Sequence, residues 1–156
     1  MYEKRFMEEA IRLAEENVKN GTGGPFGAVV VKDGQIVAAC GNTVTPDNDP
    51  TAHAEVNAIR EACRKLGSYQ LEGCEVYASC EPCPMCLGAI YWARPLKVYY
   101  ASTKEDAAKA GFDDSFIYKE IALPYAQRTI PFLNEKPSET GVEFRLWKEN
   151  MDKVEY

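Results

Sequence analysis

Short strand-like runs alternate with helical segments along this chain as far as position 101, and such alternation is the pattern of helices packed on a central sheet. Phe6, Ala10, Leu13, Ala14 and Val18 recur at helical spacing, which predicts an amphipathic helix from about Tyr2 to Lys19. The turn-forming run Gly21-Thr22-Gly23-Gly24-Pro25 ends it. Ala28–Val31 and Gln35–Cys40 read as strands, and Asp33-Gly34 between them is a hairpin signal, because both residues tolerate the positive φ of a tight turn. A polar loop is expected from Thr43 to Asp49. Pro50 suits a first helical position, capped by Asp49 or Thr51, in a helix reaching about Leu66. Glu75–Ser79 reads as a strand, Pro84 opens a helix through Ala93, and Lys97–Ala101 is the next strand. Beyond Gly111 shorter helices and irregular chain are punctuated by Pro124, Pro131 and Pro137.

The chain has 156 residues, 46% of them hydrophobic. That length predicts one domain, able to bury roughly two-thirds of the surface its unfolded chain exposes. The longest apolar stretch, Cys86–Ala93, is far short of the roughly 20 residues that span a bilayer. Met1–Lys19 carries charges throughout and has no apolar signal core, so membrane and secretory readings are set aside. Eighteen basic residues against 24 acidic ones give a net charge of −6, and the basic residues cluster no further than pairs such as Lys4-Arg5 and Arg64-Lys65. Nucleic acid is held by Lys and Arg on phosphates, so a small substrate is the better expectation. Of six cysteines, Cys40, Cys63 and Cys74 lie among apolar neighbours and are expected to be plain buried thiols in a reducing, cytoplasmic compartment.

The chemistry gathers elsewhere. The one histidine, His53, stands in Thr51-Ala52-His53-Ala54-Glu55, and thirty positions later comes Pro82-Cys83-Pro84-Met85-Cys86. Zinc takes imidazole nitrogen and thiolate sulfur, and three protein ligands leave a fourth position for water. Cys83 and Cys86 are three apart, so one helical turn lets their sulfurs converge on one ion. A helix amino terminus lowers thiol pKa and favours thiolate. At a first turn both His53 and Glu55 can reach a site beyond the helix end, one as ligand and one as proton carrier. Alternatives remain: a structural zinc closed by Cys80, an iron–sulfur cluster on Cys80, Cys83 and Cys86, or a redox pair. The ferredoxin-like run needs a further Cys where Ile90 and Tyr91 stand, and a redox pair leaves His53 and Glu55 unexplained.

His-x-Glu followed by Pro-Cys-x-x-Cys is the pattern of zinc nucleobase deaminases, and here the chain resembles the cytidine and deoxycytidylate deaminase superfamily. More narrowly it resembles the short bacterial guanine deaminases along nearly its whole length. Gly23–Ala28, Asn48–Glu55, Ser79–Arg94, Ala110–Glu120, Arg128–Phe132 and the terminal Tyr156 carry the likeness. The zinc motif marks the superfamily, whereas Phe112-Asp113-Asp114-Ser115 and the terminal tyrosine narrow it to guanine.

The resemblance implies a three-layer α/β/α fold with a central mixed sheet, and hydrolysis of guanine to xanthine and ammonia. It assigns one zinc per subunit to His53, Cys83 and Cys86, and makes Glu55 the proton shuttle while zinc-activated hydroxide attacks the amino-bearing ring carbon. It gives Asn42 a hydrogen bond to the purine edge and makes Asp114 a second carboxylate on the amino-group side. Phe26, Trp92 and Tyr156 become aromatic walls for a flat heterocycle. It further implies a homodimer in which an arm from about residue 121 to 156 crosses to the partner. Bland readings stand beside these: Asn42 as a turn residue, Asp113 and Asp114 as a solvated pair or a helix cap, Phe26 and Trp92 as core, Tyr156 as a frayed end. Rival substrates within the superfamily are adenine in transfer RNA, cytosine compounds and pterin-like rings.

Overall fold

The computed structural model describes residues 2–156, in two compact units, the first reaching Ser115 and the second Phe116–Tyr156. The first unit begins with helix α1 (Lys4–Asn20) and the hairpin of strands β1 (Gly27–Lys32) and β2 (Gln35–Gly41). Asp33 and Gly34 both take positive φ at its turn, 50° and 74°, and Lys32 pairs with Gln35 across it, as the sequence led us to expect. Helices α2 (Val44–Asp47) and α3 (Ala54–Leu66), strand β3 (Cys74–Cys80), helix α4 (Pro84–Ala93), strand β4 (Lys97–Ser102) and helix α5 (Lys104–Lys109) follow. The strand order is β2-β1-β3-β4. β1 is antiparallel to both its neighbours and β3 is parallel to β4, which makes the sheet mixed.

Both sheet faces are covered, which is why β1 is apolar at successive positions rather than at alternate ones. Its even-numbered residues, Ala28 and Val30, join Val76, Ala54, Ala58, Ala62 and Ala93 in a core beneath α3 and α4. Its odd-numbered residues, Val29 and Val31, pack with Tyr77, Phe6, Met7 and Ala10 beneath α1. Alanines dominate the α3 side, so that helix lies close to the sheet. The result is the expected α/β/α layering.

Three expectations need correction. The helix read from Pro50 begins at Ala54, with His53 as its N-cap. Asp49 accepts hydrogen bonds from the Thr51 backbone N–H (2.8 Å) and hydroxyl (2.7 Å), so Pro50 sits in an Asx turn rather than a first helical turn. The segment 43–49 is not wholly loop, since α2 occupies four of its residues. On α1 the buried stripe ends on Asn17, and Val18 faces solvent.

The second unit contains α6 (Ser115–Ala122, which starts at the boundary), a 3-10 turn (Tyr125–Gln127) and α7 (Val142–Glu149). Local contacts order it. Arg128 donates to the Leu123 and Ile121 carbonyls and lies over the Tyr125 and Phe132 rings, 4.5 and 5.1 Å from their centroids. None of its described residues is buried. No helix among the described residues is long and apolar enough to cross a membrane.

Candidate metal centre and active site

Two helix starts build the site. His53 is the N-cap of α3 and its carbonyl accepts the Asn57 N–H at 2.9 Å. Cys83 is the N-cap of α4, with Pro84 at the first helical position and its own carbonyl bonded to the Leu87 N–H at 2.8 Å. Residues at N-cap and N3 share one side of a first turn, so Cys83 and Cys86 present their sulfurs together. Both Sγ atoms approach one ring nitrogen, His53 Nδ1, at 3.4 Å from Cys83 and 3.5 Å from Cys86.

Those distances are a test of metal fit. Zinc–sulfur and zinc–nitrogen bonds of about 2.3 and 2.1 Å at a tetrahedral angle place nitrogen and sulfur roughly 3.6 Å apart. The trio matches that within about 0.2 Å, and its three ligand atoms all lie within 4.8 Å of one another. Cys80 stands outside the group. Its buried thiol donates to the Thr103 carbonyl at 3.5 Å, and burial pushes it up to about 11. Three ligands suit an ion that keeps an open position, as catalytic zinc does.

The thiols are prepared to ionise unequally. Cys83 is drawn down to about 4, first by the hydrogen bond from Cys86 and then by His53, while Cys86, the donor, is raised by the Cys83 sulfur and by burial. Cys40 and Cys63 are half-buried, Cys74 is fully buried, and burial raises all three, as inert thiols require.

Glu55 lies in the first turn of α3, buried, with the Cys86 thiol 3.4 Å from its Oε2. Burial raises its pKa above the usual carboxylate range, which brings a proton carrier closer to neutral pH. Asp114 is half-buried and is also raised, by burial first and by the Cys83 charge second, so it lies within electrostatic reach of the metal ligands. Its neighbour Asp113 makes an Asx turn at the start of α6, its Oδ1 accepting the Ser115 N–H at 2.9 Å.

Asn42 is buried at the end of β2, where the next residue, Thr43, donates its N–H to the carbonyl of Ala52, the residue before His53 (2.9 Å). Phe26 is half-buried and meets Phe112 edge-on at 5.0 Å. Trp92 lies on α4 and is 64% exposed, and Tyr156 in the second unit is 70% exposed, so neither ring is enclosed within one subunit. Asn17 and Asn57 were not singled out from the sequence, and Phe112 stood there only as part of the Phe112–Ser115 motif, with no role of its own. A polar residue falling on the buried stripe of α1 was the available signal for Asn17.

The first 102 residues match the family model described as the cytidine and deoxycytidylate deaminase zinc-binding region. The chain belongs to that deaminase family. A guanine deaminase of Bacillus subtilis is 59% identical over 156 residues, 100% of both chains. An X-ray structure of guanine deaminase from Bacillus subtilis superposes on 100% of this chain and 99% of that one, with a TM-score of 0.97 at 59% identity. A tRNA-specific adenosine deaminase of Aquifex aeolicus is 43% identical over 102 residues, 65% of this chain and 67% of that one. Similarity to the guanine deaminase thus runs the whole length of the chain, whereas the match to the Aquifex deaminase covers 65% of it. Within this deaminase family the His53, Cys83 and Cys86 trio is placed where a zinc ion can be held.

Proposed function

We propose that this deaminase hydrolyses guanine to xanthine and ammonia with one zinc per subunit, in the cytoplasm. The end-to-end match to a guanine deaminase, including all of residues 103–156, carries the choice of substrate. Six free thiols fit a reducing compartment. A second reading, adenine in transfer RNA, rests on the relative of Aquifex aeolicus, but the net charge of −6 opposes it.

His53, Cys83 and Cys86 hold the ion. Bound zinc supplies Lewis acidity that lowers the pKa of water toward 7. Glu55 takes the proton released from water on its carboxylate and passes it to the ring nitrogen beside the amino-bearing carbon, which makes that carbon electrophilic. Once the hydroxide oxygen has bonded to that carbon, Glu55 takes the remaining proton of the new hydroxyl and hands it to the amino group, whose C–N bond breaks to release ammonia as the carbonyl of xanthine forms. Asp114 accepts hydrogen bonds from the amino side of the base, where guanine presents donors. Asn42 binds the purine edge, and Phe26, Trp92 and Tyr156 stack on its faces.

We further propose a homodimer in which the arm of residues 121–156 crosses to the partner and brings Tyr156 to its site. The second unit supports this. Its Phe132, Leu133, Phe144, Leu146 and Trp147 are exposed and none of its residues is buried, so one subunit alone gives it no core to offset the entropy of ordering.

Ammonia release from guanine, adenine, cytosine, cytidine and guanosine by the zinc-loaded protein tests the substrate. Release from guanine alone is expected; release from another base keeps the metal ligands and Glu55 but overturns the base contacts. Asp114→Asn is expected to lower kcat/KM for guanine by about 100-fold, the scale of a lost hydrogen bond to a charged group, with zinc content and melting temperature unchanged. A parallel loss of stability would return Asp114 to a structural part.

A further inference from the structure

Asn17 is the single polar side chain on the buried face of α1. Its Nδ2 donates to the backbone carbonyls of Asn42 (2.8 Å) and Gly24 (3.1 Å), and its Oδ1 accepts the Thr22 hydroxyl at 3.1 Å. Both N–H donors of this amide are thus spent on the Gly24 and Asn42 carbonyls, tying the turn after α1 to the end of β2.

Asn42 in turn has a fixed amide orientation. Its Oδ1 accepts two backbone N–H groups, those of Gly24 and Val44, each at 3.2 Å. With the oxygen so committed, the amide cannot rotate without facing two donors with an NH₂ group. The Asn42 Nδ2 donates to no group among the described residues, although the residue is only 6% exposed. No enclosed side-chain nitrogen or oxygen among those residues lacks a partner, so this Nδ2 opens onto accessible space.

The segment is gripped from the opposite sheet face as well. Asn57 of α3 donates to the Gly41 carbonyl (3.1 Å), the Thr43 hydroxyl (2.9 Å) and the Ala52 carbonyl (3.3 Å). Close approach makes the grip stiff. A Cβ on Gly23 would lie 1.9 Å from the Asn42 carbonyl oxygen, and one on Gly41 would lie 2.7 Å from Asn17 Nδ2.

We infer that Asn17 is a positioning residue for substrate: it clamps the Gly24 and Asn42 carbonyls so that Asn42 holds an N–H donor toward an acceptor edge of the bound purine. The inference rests on the guanine reading for its substrate. It assigns specificity to a residue that touches no base. A misplaced donor loses a hydrogen bond, a loss of roughly tenfold in affinity, and should act mainly on KM.

The test pairs activity with an exchange measurement that needs no substrate. In Asn17→Ala, kcat/KM for guanine should fall roughly tenfold through KM, with zinc content unchanged. The double variant Asn17→Ala with Asn42→Ala should be no worse than Asn42→Ala alone, because residues acting through one contact are not additive. Hydrogen exchange at the Gly24 and Val44 amides, which bond Asn42 Oδ1, should quicken about tenfold while the Val29–Val31 amides keep their rates. Thr22→Val, which frees Asn17 Oδ1 at an exposed position, should move the same readouts in the same direction and serves if Asn17→Ala does not fold. Additive losses, or unchanged exchange at Gly24 and Val44, overturn the clamp. A wild-type protein silent on guanine overturns the substrate reading instead, and the exchange rates then decide the clamp by themselves.

Discussion

Glu55→Gln is expected to reduce guanine turnover about a thousandfold while leaving one zinc per subunit, the middle of the range for loss of a general acid–base group. That factor corresponds to about 4 kcal/mol of transition-state stabilisation. Gln keeps the size and shape of the Glu55 side chain, whose Oε2 lies 3.4 Å from Cys86 Sγ, so the ligand site is not disturbed. It cannot carry a proton between water and a ring nitrogen. Replacing a buried carboxyl by a neutral amide also removes a desolvation cost, since burial is the largest cause of the raised Glu55 pKa. The melting temperature should therefore stay level or rise. Turnover and bound metal measured on the same preparation check this, and lost zinc or residual activity above a tenth would move Glu55 out of the proton path.

Ending the chain at Met151 should also abolish most turnover with zinc retained, because Tyr156 goes while His53, Cys83 and Cys86 stay. Mixing makes the result diagnostic. The truncated chain keeps Glu55 and lacks its tail; the Glu55→Gln chain keeps its tail and lacks the carboxyl. If arms are exchanged, a mixed dimer holds one complete site, assembled from the Glu55 of one chain and the tail of the other. Random reassociation of equal amounts should then recover about a quarter of wild-type activity, since half the dimers are mixed and each has one working site of two. An arm that folds back on its own subunit gives no recovery at all, because every site then lacks either its carboxyl or its tail.

Much of this site was legible because its parts are local. The Cys83-x-x-Cys86 spacing on one helical turn, a histidine two residues before a glutamate, and proline at a helix start each express geometry fixed within a few residues. The hairpin at Asp33-Gly34 is of the same kind, because positive φ at both positions is a property of those residues and their turn. The start of α3 was misplaced for a physical reason of the same scale. Pro50 and Asp49 form as good a helix start on paper as they do an Asx turn, and the Thr51 hydroxyl tips the balance to the turn.

The candidate ligands, the alternation of strands with helices, and hence the layered fold were legible in the sequence alone, through residue chemistry and short-range period. Other features belong to the tertiary structure. Only there does His53 turn Nδ1 rather than Nε2 toward both sulfurs, and only there does Cys80 leave the cluster for the Thr103 carbonyl. Asn17 and Asn42 lie 25 residues apart on a helix and a strand end, and no local pattern predicts that one amide will bond the other's carbonyl. Such contacts depend on how α1 and α3 press on opposite faces of the sheet. Long-range packing decides them, because a buried amide must find partners wherever the fold places them.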